Sequence, residues 1–250
     1  MTDTAPSAEK PSILVRCVNR AYRALDLNRR YSKSAGGESR LAFYDIDKTY
    51  PCLRILDRNY AVIRGEMESV LAYKERLPRY HDLAKSETYI SGTVDPDKNW
   101  KIFMLWSQIG VPEANQAKCT GTTALLKKIP NLYQAFFSIL DPGKSIPAHS
   151  GEYYGYLRYH LGLRVPKNNP PSMRVKDQFH TWEEQKSILF DDSWNHEVYN
   201  KSDDIRVVLI VDFLRPMPLP LHAANWFVTQ VLMRQSEEAK LVMDNIKKYS

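Results

Sequence analysis

The chain has 250 residues, 43% of them hydrophobic and 26% charged, with 10 glycines and no low-complexity run or internal repeat, which excludes wholesale disorder and a solenoid. A net charge of +6 is mild for this length, so an anionic surface or a carboxylate substrate suits it but no nucleic-acid partner is expected. Cys17, Cys52 and Cys119 form neither a CxxC pair nor a dense framework, and no apolar stretch is long enough to span a bilayer.

The first residues, MTDTAPSAEKPS, are polar and lack the apolar core of a signal peptide. With free thiols, this gives the expectation of a cytoplasmic protein. From Pro11 the residues Ile13, Leu14, Cys17, Val18, Ala21, Tyr22 and Leu25 recur at helical spacing, with Arg16, Arg20 and Arg23 opposite and Arg29, Arg30 and Lys33 following. Such a basic amphipathic helix either docks on the core with a solvated face or makes peripheral contact with a membrane. Residues 1–40 are therefore expected as a tail and helix, ahead of a catalytic unit over 41–250.

Tyr60, Ile63, Met67, Val70 and Leu71 predict a helix over 58–76, and WKIFMLW a strand over 100–106. Leu125, Leu126 and Ile129 fit a short helix ended by Pro130. Strand-like runs follow at 133–140, 153–165, 186–190, 196–199 and 206–213, punctuated by Asp141-Pro142-Gly143, by the loop at 166–171 and by the turn at 191–195. A last helix is predicted over about 222–247. Short strands without long interleaved helices predict a mainly β fold with flanking helices, an antiparallel sandwich or jelly roll.

Alternation along 153–165 puts Tyr156, Arg158, His160, Gly162 and Arg164 on one face, and Leu157, Tyr159, Leu161, Leu163 and Val165 on the other. Burying the first face needs an acidic partner for its cations; a paired surface face is the equal alternative. Among six histidines, His149 lies in the turn after strand 133–140 and His196 begins a strand after a turn. Two imidazoles suit Fe(II), Zn(II) or Cu(II) alike. The acid of a 2-His-1-carboxylate triad is missing from His149-Ser150-Gly151, and on spacing alone a three-His site with His160 competes equally.

The blocks WKIFMLW, FSILDPGKSIPAHSGEYYGYLRYHLGLRVP, TWEEQKSILFDDSWNHEVYN and RVVLIVDFLRP, over 100–216, resemble in order and spacing the catalytic domain of the aspartyl/asparaginyl β-hydroxylase family. The resemblance implies a double-stranded β-helix of the jelly-roll and cupin-like kind, and Fe(II)/2-oxoglutarate-dependent dioxygenase chemistry using O2. It makes His149 and His196 the iron ligands, puts Ser138, Arg158 and His160 where the family contacts 2-oxoglutarate, and gives Arg206 the cosubstrate carboxylate. Trp100 matches a pocket position more weakly.

Gly151 stands where many relatives have the acid, as it does in the animal aspartyl hydroxylases, so water would complete the coordination. A left-handed turn is the alternative reason for that glycine. The LRYHLGL wording and the RPM turn at 215–217 also resemble bacterial lipid A acyl-chain hydroxylases, which carry Asp at the glycine position and usually an N-terminal membrane segment. The substrate is thus a small molecule, a peptide-borne Asp or Asn, a natural-product intermediate or a lipid acyl chain. A halogenase and a non-catalytic jelly-roll binding module are the competing functions; intact His149, His196, Arg158 and Arg206 argue against the second. Asp191 and Asp192 are expected to order a turn, Trp182 and Trp194 to pack, Glu152 to be no substitute acid, and His81, His180 and His222 to have no role.

Overall fold

The computed structural model describes residues 26–85, 88–110 and 112–249. The expected helix from Pro11 to Leu25 lies outside them. Among the described residues the strands form two antiparallel sheets. The larger has the order β1-β8-β5-β10-β3-β2, made of Phe43–Tyr44, Ser187–Phe190, Tyr156–Arg164, Arg206–Leu214, Leu132–Leu140 and Trp100–Ser107. The smaller has the order β4-β9-β6-β7, made of Ile146–His149, His196–Tyr199, Ser172–Val175 and Gln178–Thr181. Chain-distant strands pairing within two facing antiparallel sheets make this a jelly roll.

The large sheet is buried on both faces, which is why β3 and β10 read as nearly unbroken apolar runs. On the outside, Leu157, Tyr159, Leu161, Leu209 and Val211 pack under Leu53, Leu56, Ile63 and Met67 of the preceding helices, and under Leu126. On the inside, Trp100, Ile102, Phe136, Val208 and Ile210 meet Ile146, Val198, Met173 and Val175 of the small sheet. The inner cluster is the floor on which the polar site is built.

Several expectations are corrected by local geometry. A bulge between Val207 and Val208 leaves Leu163 unpaired, so Arg164 returns to the outside and pairs with Asp204 at 3.0 Å, while Val165 turns inward. The cationic row therefore ends at His160 instead of reaching Arg164. His149 closes strand β4 and is not in a turn. The hairpin β6–β7 escaped detection because Gln178, Phe179 and Thr181 are exposed and leave no period-2 apolar signal. The expected helix over 58–76 is α2, Tyr60–Leu71, which follows α1, Leu27–Ser34. The expected single C-terminal helix is two, α3 (Leu219–Phe227) and α4 (Glu237–Lys248), separated by a π-helical turn over 228–232 and a break at extended Ser236. Ser236 Oγ accepts from Ala239 N at 3.1 Å and so starts α4 afresh.

Candidate functional site

His149 and His196 are directly opposed residues of β4 and β9, with ring centroids 4.1 Å apart. Each ring is tied by the same device: Nδ1 of His149 meets the Pro147 carbonyl at 2.8 Å, and Nδ1 of His196 the Trp194 carbonyl at 2.8 Å. A carbonyl only accepts, so Nδ1 carries a proton in both rings, and in the neutral imidazole Nε2 is then the nitrogen with the lone pair. That is the tautomer a metal needs, held by the backbone. Burial, and then the neighbouring His196, push the His149 imidazole down to about 4, so it is neutral at physiological pH.

Asp192 is the residue that sequence reasoning missed. Its Oδ1 lies 3.3 Å from His196 Nε2 and accepts from Arg158 Nη1 at 2.6 Å; its Oδ2 accepts from Tyr156 Oη at 2.6 Å. Burial raises this carboxyl, and Arg158, His196 and the Tyr156 hydroxyl outweigh it, leaving Asp192 below the ordinary carboxylate range. Asp191, its neighbour, does order the turn: it binds Arg40 at 3.1 Å, Arg215 at 2.7 Å and the Ser193 hydroxyl. Nothing in DDSWN separates the two acids; the turn sends one to each side.

Arg158 was expected beside the cosubstrate. Its Nε and Nη2 donate to Asp212 at 2.8 Å each, and Nη1 is on Asp192. Two buried carboxylates thus answer the question of how the cationic strand face is buried. Removing the guanidinium strands both, so Arg158→Ala is expected to lower the unfolding free energy by about 3–5 kcal/mol. Urea denaturation checks this, and an unchanged midpoint would contradict the pairing.

Arg206 is the opposite case. It is 1% exposed, and among the described residues no carboxylate pairs with it. Nη1 donates to Ser138 Oγ at 3.4 Å, Nε has no partner, and burial pushes the guanidinium down to about 9. Trp100 Nε1 donates to the same Ser138 Oγ at 2.9 Å, and the guanidinium lies 4.6 Å from the Trp182 ring centroid. His160 is buried with both ring nitrogens unpartnered and, by burial first and Arg158 second, held neutral.

These groups form one continuous row of contacts. Ring contacts run from His149 to His196 (4.1 Å), to Phe190 (6.1 Å), to His160 (4.9 Å), to Trp182 (5.9 Å) and so to Arg206. The structure thus brings together His149, His196, His160, Arg206, Ser138 and Trp100, with Arg158 behind Asp192. Among the described residues no three His, Cys, Asp or Glu side chains converge as a metal cluster, so the three-His arrangement with His160 does not form. The arrangement offers a pair of imidazole donors and a buried cation lacking its anion.

Gly151 is not in the left-handed region; the glycines with positive φ are Gly36, Gly37 and Gly143. Its reason is proximity. A Cβ there would overlap Asp192 Oδ2 and sit 3.0 Å from the Asp192 carbonyl oxygen, which already accepts from Gly151 N at 2.9 Å. Tyr156 and Arg158 hold that carboxylate, so it cannot swing aside. Gly151→Ala is expected to cut turnover roughly 10–100-fold, the usual cost of disturbing a group behind a ligand. In an Asp192→Ala background the same change should cost less, the remainder being its close approach to the backbone carbonyl, which a double-mutant cycle on succinate release measures.

The profile of the aspartyl/asparaginyl beta-hydroxylase family matches residues 57–216, a span holding His149, His196, Asp192, Arg158, His160 and Arg206. The chain belongs to that family. One family relative, an ornithine lipid ester-linked acyl 2-hydroxylase of Rhizobium tropici, is 39% identical over 204 residues, covering 81% of this chain and 69% of its own. The aspartyl/asparaginyl beta-hydroxylase of Homo sapiens is 32% identical over 178 residues, covering 67% of this chain but only 22% of that protein, so the chain spans about a fifth of its length. Among solved structures, a Pseudomonas putida prolyl-4-hydroxylase aligns with a TM-score of 0.41 and 13% identity, covering 64% of this chain and 88% of that one. The jelly-roll assignment rests on the sheet order and not on that likeness.

Proposed function

We propose that this family member is an Fe(II)- and 2-oxoglutarate-dependent hydroxylase acting on an unactivated C–H of a lipid-borne acyl chain. The donor set fits the two groups. His149 and His196 would hold iron through the Nε2 lone pairs that their backbone tethers leave available. Arg206 would hold the far carboxylate of 2-oxoglutarate, with Ser138 Oγ, itself fixed by Trp100, as a second polar contact. Iron and 2-oxoglutarate together supply the activation of O2, with the cosubstrate leaving as succinate and carbon dioxide.

The single observation carrying this reading is Arg206. A guanidinium buried without a carboxylate is costly, and the row of contacts running from it to the histidine pair supports an anion bound near the imidazoles. His160, neutral and apolar-packed, would wall the chamber against water; Asp192 would orient what binds beside His196, and Arg158 would hold Asp192 in place. This makes Arg158 a positioning residue more than a direct cosubstrate contact.

For the substrate, the 39% relative matches more of this chain, at higher identity, than the 32% relative does. A peptidyl Asp or Asn is the second reading, favoured by Gly151, which the animal aspartyl hydroxylases share. Succinate release and product mass, measured on an acylated aminolipid and on an Asp-containing peptide, separate the two. The lipid should gain one oxygen atom. Hydroxylation of the peptide alone would overturn the lipid assignment, and no succinate with any substrate would overturn the reaction class.

A further inference from the structure

Helix α3 and the turn after it carry an apolar face that is exposed among the described residues. Leu219, Ala223, Trp226 and Phe227 recur at intervals of four, three and one, and so share one side of the helix. Leu219 is 79% exposed, Trp226 49% and Phe227 51%. The opposite side is the packed one: Asn225, Val228 and Thr229 are buried, and Val228 joins Tyr31, Leu27, Tyr153 and Tyr156 in a small cluster. A single exposed apolar side chain needs no explanation, but a contiguous face with Trp and Phe at its centre does.

Cations predominate beside this face on α1 and in the turn after α3. Residues 216–236 contain no Asp or Glu, and Arg234 is exposed at their end. α1 packs beside α3 through Tyr31 and Leu27, and its Arg29, Arg30 and Lys33 are exposed. Among the described side chains, Asp26, 3.9 Å from Arg29, and Glu152 are the exposed acids beside the three cations of α1 and Arg234; Glu237 and Glu238 follow in sequence at the start of α4. An apolar aromatic face edged by Arg and Lys matches the boundary of an anionic bilayer, where rings sit among headgroups and each basic residue gains from surface potential.

Its position ties this face to the site. Asn225 Nδ2 donates to the Gly155 carbonyl at 2.6 Å, and Asn225 Oδ1 accepts from the Tyr153 hydroxyl. A Cβ at Gly155 would overlap that Asn225 oxygen, so glycine there is what lets the helix seat so closely. From α1, Asn28 Nδ2 donates to the Glu152 carbonyl at 2.7 Å and Asn28 Oδ1 accepts from Tyr154 N at 3.1 Å. Both helices therefore grip residues 152–155, the chain that leaves His149.

We propose that the α3 face, with the basic edge of α1, docks the protein on the surface of an anionic phospholipid bilayer and so sets the His149 loop against the lipid. The docking itself is a property of the surface; only its purpose, delivering a lipid acyl chain to the site, rests on the proposed function.

The test uses the full chain without iron or 2-oxoglutarate, sedimented with vesicles of phosphatidylglycerol and phosphatidylcholine or of phosphatidylcholine alone. Binding is expected to the first and to weaken with salt. Vesicles with brominated acyl chains should quench fluorescence in the wild type, and Trp226→Phe should bind while losing most of that quenching. Trp226→Ser with Phe227→Ser should lower apparent vesicle affinity by about tenfold or more. Both side chains are half-exposed, and an unchanged circular dichroism spectrum and unchanged activity on a detergent-dispersed substrate verify that this variant is folded. Retained vesicle binding by it, absent binding by the wild type, or a dimer that this double substitution dissolves would each overturn the proposal. An active hydroxylase that ignores vesicles fails the docking alone, whereas a docked protein that never forms succinate fails the function alone.

Discussion

Replacing His196 with alanine, or His149 with alanine, is expected to abolish succinate formation and weaken Fe(II) binding by more than about a hundredfold. Substitutions of groups that merely support a ligand cost roughly 10–100-fold, and here the ligand itself is removed from a site with only two. The pair is supported strand to strand: β4 and β9 oppose the two residues, and each ring is fixed by a carbonyl two residues earlier in its own chain. Neither substitution should unfold the protein, because both side chains lie at strand ends and the inner cluster beneath them is apolar. Iron titration by equilibrium dialysis, alongside circular dichroism, separates lost ligation from lost structure. Turnover like the wild type's in either folded variant, with iron limiting, would remove both residues from the site.

Arg206→Ala is expected to raise the KM for 2-oxoglutarate by roughly thirtyfold to several thousandfold, the equivalent of the about 2–5 kcal/mol lost when one partner of a buried charged pair is truncated. The cation is fully enclosed, has Ser138 and the Trp182 ring as neighbours, and has no carboxylate of its own among the described residues. Arg206→Lys should fall between, since a point charge cannot reproduce a two-pronged grip on a carboxylate. Without cosubstrate the alanine variant should be no less stable than the wild type, because it removes an unpaired buried charge. An unchanged KM in Arg206→Ala would place the carboxylate elsewhere.

Much of the large sheet could be read from the chain because burial on both faces makes its long strands apolar throughout. WKIFMLW and RVVLIVDF are strands β2 and β10 to within a residue. The small sheet was harder. β4 is four residues containing a proline, and β7 is mostly exposed, so neither has a pattern to find. Strand period is local, so alternation gives Arg158 and His160 their common face. It does not give the side of Arg164, since a bulge depends on the partner strand β10. Asp192 illustrates the limit of spacing most directly. It is identical in type to Asp191 beside it, and only the three-dimensional turn gives one to Arg40 and Arg215 and the other to Arg158, Tyr156 and His196. Gly151 could be seen as a departure from a triad, yet its cause, the carboxylate pressed against its Cα, lies some forty residues away in sequence and required the fold.

The most direct measurement is anaerobic binding of 2-oxoglutarate to the full chain, with and without Fe(II), for the wild type, His149→Ala and Arg206→Ala. The wild type should bind one Fe(II) and one 2-oxoglutarate per chain, with cosubstrate affinity rising when iron is present. His149→Ala should lose the iron-dependent part, and Arg206→Ala should lose cosubstrate while still binding iron. A wild type whose 2-oxoglutarate binding is absent, or is indifferent to iron and to both substitutions, would contradict the assignment of this chamber to iron and 2-oxoglutarate.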